Sequence, residues 1–318
     1  MIDGETILLT GGAGFIGAHI ADALVSNNRL RIFDTFRRHT KDDFYLAGHE
    51  NVELIQGDVR EREALRKAAE GCDRIVHLAS VAGVGTVLNN PSLTMNVAIQ
   101  GTTNVLEVAK GNADIKRVVT FSTSEVFGRF AFNVHEDDPT PLGPVNESRW
   151  TYAASKVASE HLAMAYHREF ELPAVSLRPF NVYGPGQIGE GAIHNFIVRA
   201  IRNEPIIVNN DGRQIRSWCY VSDMVDGTLR ALESEQSPGQ AFNIGNPQAT
   251  ITVVRLAELV IRLAGSSSKI EFRKRDYPDV ETRLPSIEKA REYLGYEPAV
   301  SLEDGVARTI AWYREHGA

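Results

Sequence analysis

The chain opens on a short apolar segment that runs into a glycine turn and then into a helical pattern. It reads Thr6-Ile7-Leu8-Leu9-Thr10, then Gly11-Gly12-Ala13-Gly14-Phe15-Ile16-Gly17. A G-x-G-x-x-G spacing alone is weak evidence, but this one lies directly after a strand pattern and directly before an amphipathic helix pattern. The absence of Cβ at Gly12 and Gly14 lets backbone approach a pyrophosphate, and Gly17 allows close helix–strand packing. The helix N-terminus then presents free N–H groups and a positive dipole end to an anion. A tight turn that merely needs glycine is the lesser reading, because four glycines fall within this junction. Gly11, Gly14, Phe15, Ile16 and Gly17 are therefore candidate contacts for a bound dinucleotide.

The rest of the first half repeats the same grammar. Thr6–Thr10, Leu30–Asp34, Val52–Gln56, Arg74–Ala79, Arg117–Ser122 and Ala174–Arg178 are short and rich in Val, Ile and Leu. Such continuous apolar runs suit parallel strands covered on both faces. Helical patterns lie between them at Gly14–Val25 and at Ser92–Ala109, which follows Pro91. Repeated βα units of this kind predict an α/β fold with a doubly wound parallel sheet. After Pro179 the texture becomes irregular, and helical patterns follow at Ala192–Asn203, Asp223–Glu233, Thr252–Leu263, Ser286–Leu294 and Leu302–Glu315. The expectation is a dinucleotide-binding domain over residues 1–180. A smaller C-terminal α/β substrate domain, mainly 181–318, closes over the sheet's ligand edge, with a discontinuous boundary.

Composition narrows the partners. The chain has 318 residues, 43% hydrophobic, with a net charge of −7 and scattered basic residues. A nucleic-acid partner would bring a basic stripe, so none is expected. Two cysteines, Cys72 and Cys219, lie in apolar surroundings and read as buried thiols rather than a disulfide framework. No cluster has metal-ligand spacing, no apolar run approaches a membrane span, and the N-terminus runs straight into the first strand. These features predict a cytoplasmic enzyme without metal or membrane contact.

Two acidic residues bear on the dinucleotide. Asp34 ends the second strand, where a carboxylate meets the adenosine ribose hydroxyls and repels a 2′-phosphate. That favours NAD over NADP, although Arg37 and Arg38 follow closely. Asp58 follows the third strand and is either an adenine-edge contact or a helix N-cap.

Chemistry enters with Tyr152-Ala153-Ala154-Ser155-Lys156. Tyr152 and Lys156, four apart on a helix, share a face. An ammonium near a phenol stabilises phenolate and lowers its pKa, which would suit Tyr152 to act as a base. A hydroxyl-rich strand end precedes the pair at Phe121-Ser122-Thr123-Ser124-Glu125-Val126-Phe127-Gly128.

With these marks the chain resembles the extended short-chain dehydrogenase/reductase superfamily, in its nucleotide-sugar epimerase/dehydratase/decarboxylase branch with a Rossmann sheet. The resemblance spans nearly the whole chain. It includes His77-Leu78-Ala79, Arg178-Pro179-Phe180-Asn181-Val182-Tyr183-Gly184-Pro185 and Arg216-Ser217-Trp218-Cys219-Tyr220-Val221-Ser222-Asp223. It implies bound NAD near Asp58, Val59, Leu78, Ala79 and Lys156, and a nucleotide-sugar substrate, UDP favoured, near Asn181, Ala192, Arg216 and Arg283. It implies that Tyr152 removes the sugar 4-hydroxyl proton while hydride leaves C4, that Lys156 holds the nicotinamide ribose, and that Thr123 bonds the reacting oxygen. The candidate catalytic residues are Tyr152, Lys156, Thr123, Ser124 and Glu125.

The resemblance separates the possible reactions less sharply. Glu125 in a Thr-Ser-Glu run is similar to uronic-acid decarboxylases and to GDP-mannose 4,6-dehydratases. It could take the C5 proton, position a C6 carboxylate or a water, or simply form a local salt bridge. Ser124 stands where dTDP-glucose dehydratases carry Asp, which weighs against that subgroup. Gly143-Pro144-Val145-Asn146-Glu147-Ser148-Arg149-Trp150 and Asp279-Val280-Glu281-Thr282-Arg283-Leu284-Pro285-Ser286 are similar to UDP-glucuronate decarboxylases. Val81-Ala82-Gly83-Val84-Gly85-Thr86 looks more like uronic-acid 4-epimerases. The order is decarboxylation of UDP-glucuronate, then 4-epimerisation, then 4,6-dehydration. A non-catalytic NAD(P)-binding regulator and an NADPH-consuming reductase are remote alternatives. Ala192–Arg199 and Ile206–Val208 are expected around the base, and His194, Trp218 and Tyr183 are either ligand contacts or packing. A homodimer paired through helices near Ser92–Ala109 and Thr151–Phe170 is expected.

Overall fold

The computed structural model describes residues 2–37, 42, 44–275 and 277–317. In chain order the strands are β1 Thr6–Thr10, β2 Arg29–Asp34, β3 Val52–Gln56, β4 Arg74–His77, β5 Arg117–Phe121, β6 Phe130–Val134, β7 Ala174–Pro179, β8 Val182–Tyr183, β9 Ile206–Asn209, β10 Ile215–Ser217, β11 Cys219–Tyr220, β12 Ala241–Ile244, β13 Thr250–Thr252, β14 Ile270–Arg273 and β15 Thr282–Pro285. The α-helices are α1 Phe15–Leu24, α2 Arg62–Ala68, α3 Val84–Asn89, α4 Pro91–Lys110, α5 Thr151–Phe170, α6 Ala192–Ile201, α7 Val221–Glu233, α8 Val253–Ala264, α9 Glu288–Leu294 and α10 Leu302–His316.

Among the described residues, seven strands form one parallel sheet in the order β12-β7-β5-β4-β1-β2-β3. Its central strands are buried throughout, β5 at every position, as the apolar runs require. Chain order reverses between β1 and β4. A doubly wound sheet binds ligands outside the carboxyl ends of its strands at such a switch point. Gly11 follows β1, Asp34 ends β2, Leu78 follows β4 and Ser122 follows β5, so the topology gathers these positions at one edge. Helix α4 starts with Pro91, whose missing N–H costs nothing in a first turn, and it packs along α5.

The second half contributes more than a cap. β12 completes the large sheet beside β7, and α7 packs on β5 and β7. The other strands form a four-stranded sheet, β13-β10-β15-β6, and the pairs β11-β8 and β14-β9. The first of these sheets ties the Gly128–Val134 region to β15, which carries Arg283. No helix among the described residues is long and apolar enough to cross a membrane. Cys72 and Cys219 are both buried free thiols.

Candidate active site

A cleft of about 1010 Å³ runs along the switch-point edge and under the C-terminal elements. It lies at the upper end of the roughly 300–1,000 Å³ usual for a small-molecule site. All the candidate residues line it: Gly11, Gly14, Phe15, Ile16, Gly17, Asp34, Asp58, Val59, Leu78, Ala79, Thr123, Ser124, Glu125, Tyr152, Lys156, Asn181, Ala192, Arg216 and Arg283.

The glycine turn is shaped by close approaches. Gly11 has φ +70°, and a Cβ there would lie 2.6 Å from the Ala79 backbone nitrogen, where the chain leaves β4. A Cβ on Gly17 would lie 2.7 Å from Gly12 Cα, so its packing partner is the turn itself rather than a strand. Gly12 departs from the sequence reading: its Cβ would meet Leu9 Cβ at 2.9 Å and Ile32, on the packed side of the turn. Gly14 meets only the Gly11 carbonyl, at 3.2 Å, and leaves the approach open. Helix α1 begins at Gly14 with no side-chain cap and no acidic residue in its first turn. Its orphan N–H groups and dipole therefore favour an anion.

Asp34 accepts from the Ala13 N–H at 3.1 Å and the Phe36 N–H at 3.0 Å, which fixes its carboxylate at the cleft. Arg37 also lines the cleft, while Arg38 lies outside the described residues. Asp58 is not an N-cap, since Glu61 precedes α2. Instead its carboxylate takes the Arg60 guanidinium at 3.0 and 2.6 Å, and that contact holds it below the ordinary carboxylate range.

At the centre, Thr123 caps the short 3₁₀ turn Ser124–Phe127 by accepting from the Glu125 N–H at 3.2 Å. Lys156 donates to the Phe121 carbonyl at 2.7 Å, and burial brings its ammonium down to about 8. It lies 5.9 Å from the Tyr152 ring centroid. Tyr152 does not show the lowered pKa that the i,i+4 spacing predicts. Burial raises it, the Glu125 carboxylate raises it further, and only the Thr123 and Ser80 hydroxyls favour its phenolate. His77 behind this layer bonds Thr10 Oγ1 at 2.7 Å and Thr102 Oγ1 at 3.2 Å. Burial and the nearby Lys156 lower it to about 3, so it is a neutral structural group.

Glu125 resolves differently from a free base. Arg149 Nη1 and Nη2 donate to its two oxygens at 2.5 and 2.9 Å, and Arg283 Nη1 approaches at 3.4 Å. Burial would raise this carboxyl, but Arg283 and Arg149 outweigh it and hold it at about 2. A carboxylate so strongly ionised is a weak base, and the pairing with Arg149 and Arg283 is the local salt bridge among the readings of this residue. Arg283 also donates to the Gly128 carbonyl at 3.2 Å. Arg149 and Arg283 each keep a buried Nε–H without an acceptor.

The far end is also cationic. Arg216 donates to the Val280 carbonyl at 2.6 Å and stands 3.6 Å from Asp279. Burial and Arg283 lower it to about 10. Asn181 donates to the Ser217 carbonyl at 2.7 Å. Asn195, Phe196 and Arg199 of α6 line this end with Ile207, and so do Arg273 and Arg275, which the sequence reading left out. Trp218 lines the cleft, whereas Tyr183 is buried against Trp218 and Tyr220, and His194 bonds Tyr313 at 2.8 Å. Arg178 pairs with Glu160 outside the cleft. Glu190 closes one wall by accepting from the N–H groups of Gly85 at 2.6 Å and Thr86 at 3.0 Å.

The model of the NAD dependent epimerase/dehydratase family matches residues 7–245. The chain belongs to this family. It is 38% identical over 307 residues to UDP-glucuronic acid decarboxylase 5 of Arabidopsis thaliana, covering 94% of this chain and 86% of that one. It is 34% identical to the UDP-N-acetyl-alpha-D-glucosaminuronate decarboxylase of Bacillus cytotoxicus, covering 97% of each. Among solved structures, the UDP-glucuronic acid 4-epimerase of Bacillus cereus, in complex with UDP-glucuronic acid and NAD, superposes with a TM-score of 0.88 at 30% identity, covering 98% of this chain and 99% of that one.

The residues present fit the family's cofactor. The uncapped α1 terminus suits a pyrophosphate, the side-chain-free turn at Gly11 and Gly14 lets it approach, and Asp34 suits ribose hydroxyls. Three further residues gain a place at the site from the fold. Arg149 stands just ahead of the Tyr152 helix, and Ser80, three residues past β4, lies near the Tyr152 phenol with its Oγ making no hydrogen bond among the described residues. Glu190 sits in the glycine-rich 184–191 loop. The one sequence signal for Arg149 is its place as a cation in the Gly143–Trp150 stretch.

Proposed function

We propose that this chain decarboxylates UDP-glucuronate through a transient 4-keto sugar. The observation that carries the reading is the guanidinium cluster at the heart of the cleft. Arg149, Arg283 and Arg216 face the carboxylates of Glu125 and Asp279, and two buried Nε–H donors have no acceptor. This excess of positive charge and donors suits a substrate with a sugar carboxylate and a diphosphate.

Tyr152, with Thr123 and Ser80 at its hydroxyl, takes the proton from the sugar 4-hydroxyl. NAD, which Gly11–Gly17, Asp34 and Lys156 would hold, would supply the hydride acceptor and later the hydride donor at C4. The 4-ketone makes the substrate a β-keto acid. Its C5–C6 bond breaks, carbon dioxide leaves, and the electron pair settles on the C4 oxygen as an enolate. The hydroxyls of Tyr152 and Thr123 stabilise that oxygen by hydrogen bonds. A proton from solvent then adds at C5 and restores the 4-ketone, and as hydride returns to C4 Tyr152 gives its proton back to the C4 oxygen.

The relatives named as decarboxylases support this order. The likeness to a UDP-glucuronic acid 4-epimerase supports 4-epimerisation as the second reading, since it needs the same Tyr152 and Thr123. Dehydration ranks third, because Ser124 supplies no acid for a departing hydroxyl. Asp34 favours NAD over NADP. The cofactor lies in residues 1–180 and the nucleotide sugar mainly in 181–318, with β12 crossing back into the large sheet. A homodimer through α4 and α5 belongs to the same proposal, checked by light scattering on the eluted protein.

Incubation with UDP-glucuronate, UDP-glucose, UDP-N-acetylglucosamine and GDP-mannose, followed by mass analysis, tests the reaction. Loss of carbon dioxide from UDP-glucuronate supports it. An unchanged UDP-glucuronate mass overturns it.

A further inference from the structure

Arg149 does no proton chemistry of its own, yet its position links the two halves of the catalytic centre. It lies in the 3₁₀ turn Ser148–Trp150, which runs directly into α5 and Tyr152. Its guanidinium reaches back to Glu125, on the 3₁₀ turn that Thr123 caps, and takes both carboxylate oxygens at 2.5 and 2.9 Å. The Arg149 side chain is only 6% exposed and that of Glu125 17%, so solvent screens the pair weakly. The Ser124–Phe127 turn packs on α5, and Glu125 and Tyr152 line the same cleft, where the carboxylate charge acts on the phenol.

We propose that Arg149 is a positioning residue that acts through Glu125, cancelling its charge at Tyr152 and so setting how readily the tyrosine yields its proton. This rests on the reading of Tyr152 as the base in the proposed reaction.

The charged neighbours make the argument quantitative in sign. Tyr152 is faced by Glu125 from the Ser124–Phe127 turn and by Lys156 from its own helix, with the uncharged Thr123 and Ser80 at its hydroxyl. Glu125 is faced by Arg149 and Arg283, and Arg216, Asp279 and Tyr277 stand around the arginines. Glu125 is the member of this set that opposes the phenolate by charge. With Arg149 removed, one guanidinium at 3.4 Å remains to offset it. A carboxylate close to a buried phenol then disfavours ionisation more strongly.

The test is the acid limb of kcat/KM against pH in wild type, Arg149→Gln, Arg149→Lys and the double variant Arg149→Gln/Glu125→Gln. The limb should rise by about one pH unit in Arg149→Gln, a loss of about tenfold at pH values below it. Arg149→Lys, which keeps the charge, should return the limb most of the way to its wild-type position. The double variant should not show the rise either, because the opposing carboxylate is gone. A limb that stays in place while kcat falls in every variant overturns the proposal and makes Arg149 a structural brace. The series is run on UDP-glucuronate and on UDP-glucose. A wild type that ignores the first but turns over the second refutes the substrate reading, and the limb is then read on the second. A wild type inactive on both is assayed on UDP-N-acetylglucosamine and GDP-mannose, and inactivity on all four overturns Tyr152 as base and this proposal with it.

Discussion

Arg149 and Glu125 meet as a two-pronged buried ion pair, with both guanidinium Nη groups on both carboxylate oxygens. The pair holds the glutamate in its ionised form. It also joins the end of β5 to the start of the Tyr152 helix, so geometry and charge at the reacting hydroxyl depend on one contact.

The first prediction is a pH-dependent stability. Glu125 is held at about 2 against an ordinary 4.5, so its ion pairs stabilise the fold above about 4.5 and are lost as pH falls toward 2. Glu125→Gln leaves two buried guanidinium groups without their anion, which costs about 3–5 kcal/mol at neutral pH. Denaturant melts should show the gap between wild type and variant closing across that acid window. A gap that stays constant through it would show that the pair contributes nothing to folding.

The second concerns Lys156. Burial brings its ammonium to about 8, so the charge is present below that pH and lost above it. The alkaline limb of kcat/KM should therefore fall near pH 8. Lys156→Arg stays charged and should lose that limb even if its rate is lower. A limb at the same pH in the variant would assign it to another group.

The third concerns the glycine turn. Gly11→Ala places a Cβ 2.6 Å from the Ala79 nitrogen at φ +70°. The left-handed backbone alone costs roughly 1–3 kcal/mol. Thermal melts with and without NAD should show a lower midpoint and a smaller gain from the cofactor. An unchanged midpoint would mean that the turn has room to move.

Much of this was readable because the strongest signals are local. β1 and β3 fall where their Val, Ile and Leu runs place them, and α10 where its periodicity does. What escaped depends on distant partners. β12 holds Asn243 in the middle of a short strand, a poor strand residue by composition. Its backbone N–H donates to Glu136 Oε1 and its Nδ2 to the carbonyls of Val134 and Ser286, while its buried Oδ1 has no partner among the described residues. The four-stranded sheet escaped because its members are short and meet across the chain. All the candidate site residues line the cleft, yet their electrostatics did not follow from spacing. The i,i+4 rule places Lys156 beside Tyr152, but it cannot report burial or a carboxylate from another segment, and those set the direction.

The most direct measurement is turnover of UDP-glucuronate in deuterated water, read by mass spectrometry and NMR. Breaking C5–C6 leaves an enolate that takes its proton at C5. The product should therefore be a UDP-pentose lighter by one carbon dioxide, with one solvent deuteron at C5. A product of unchanged carbon count, epimerised at C4 and free of deuterium at C5, would contradict decarboxylation and leave the same cleft to an epimerase.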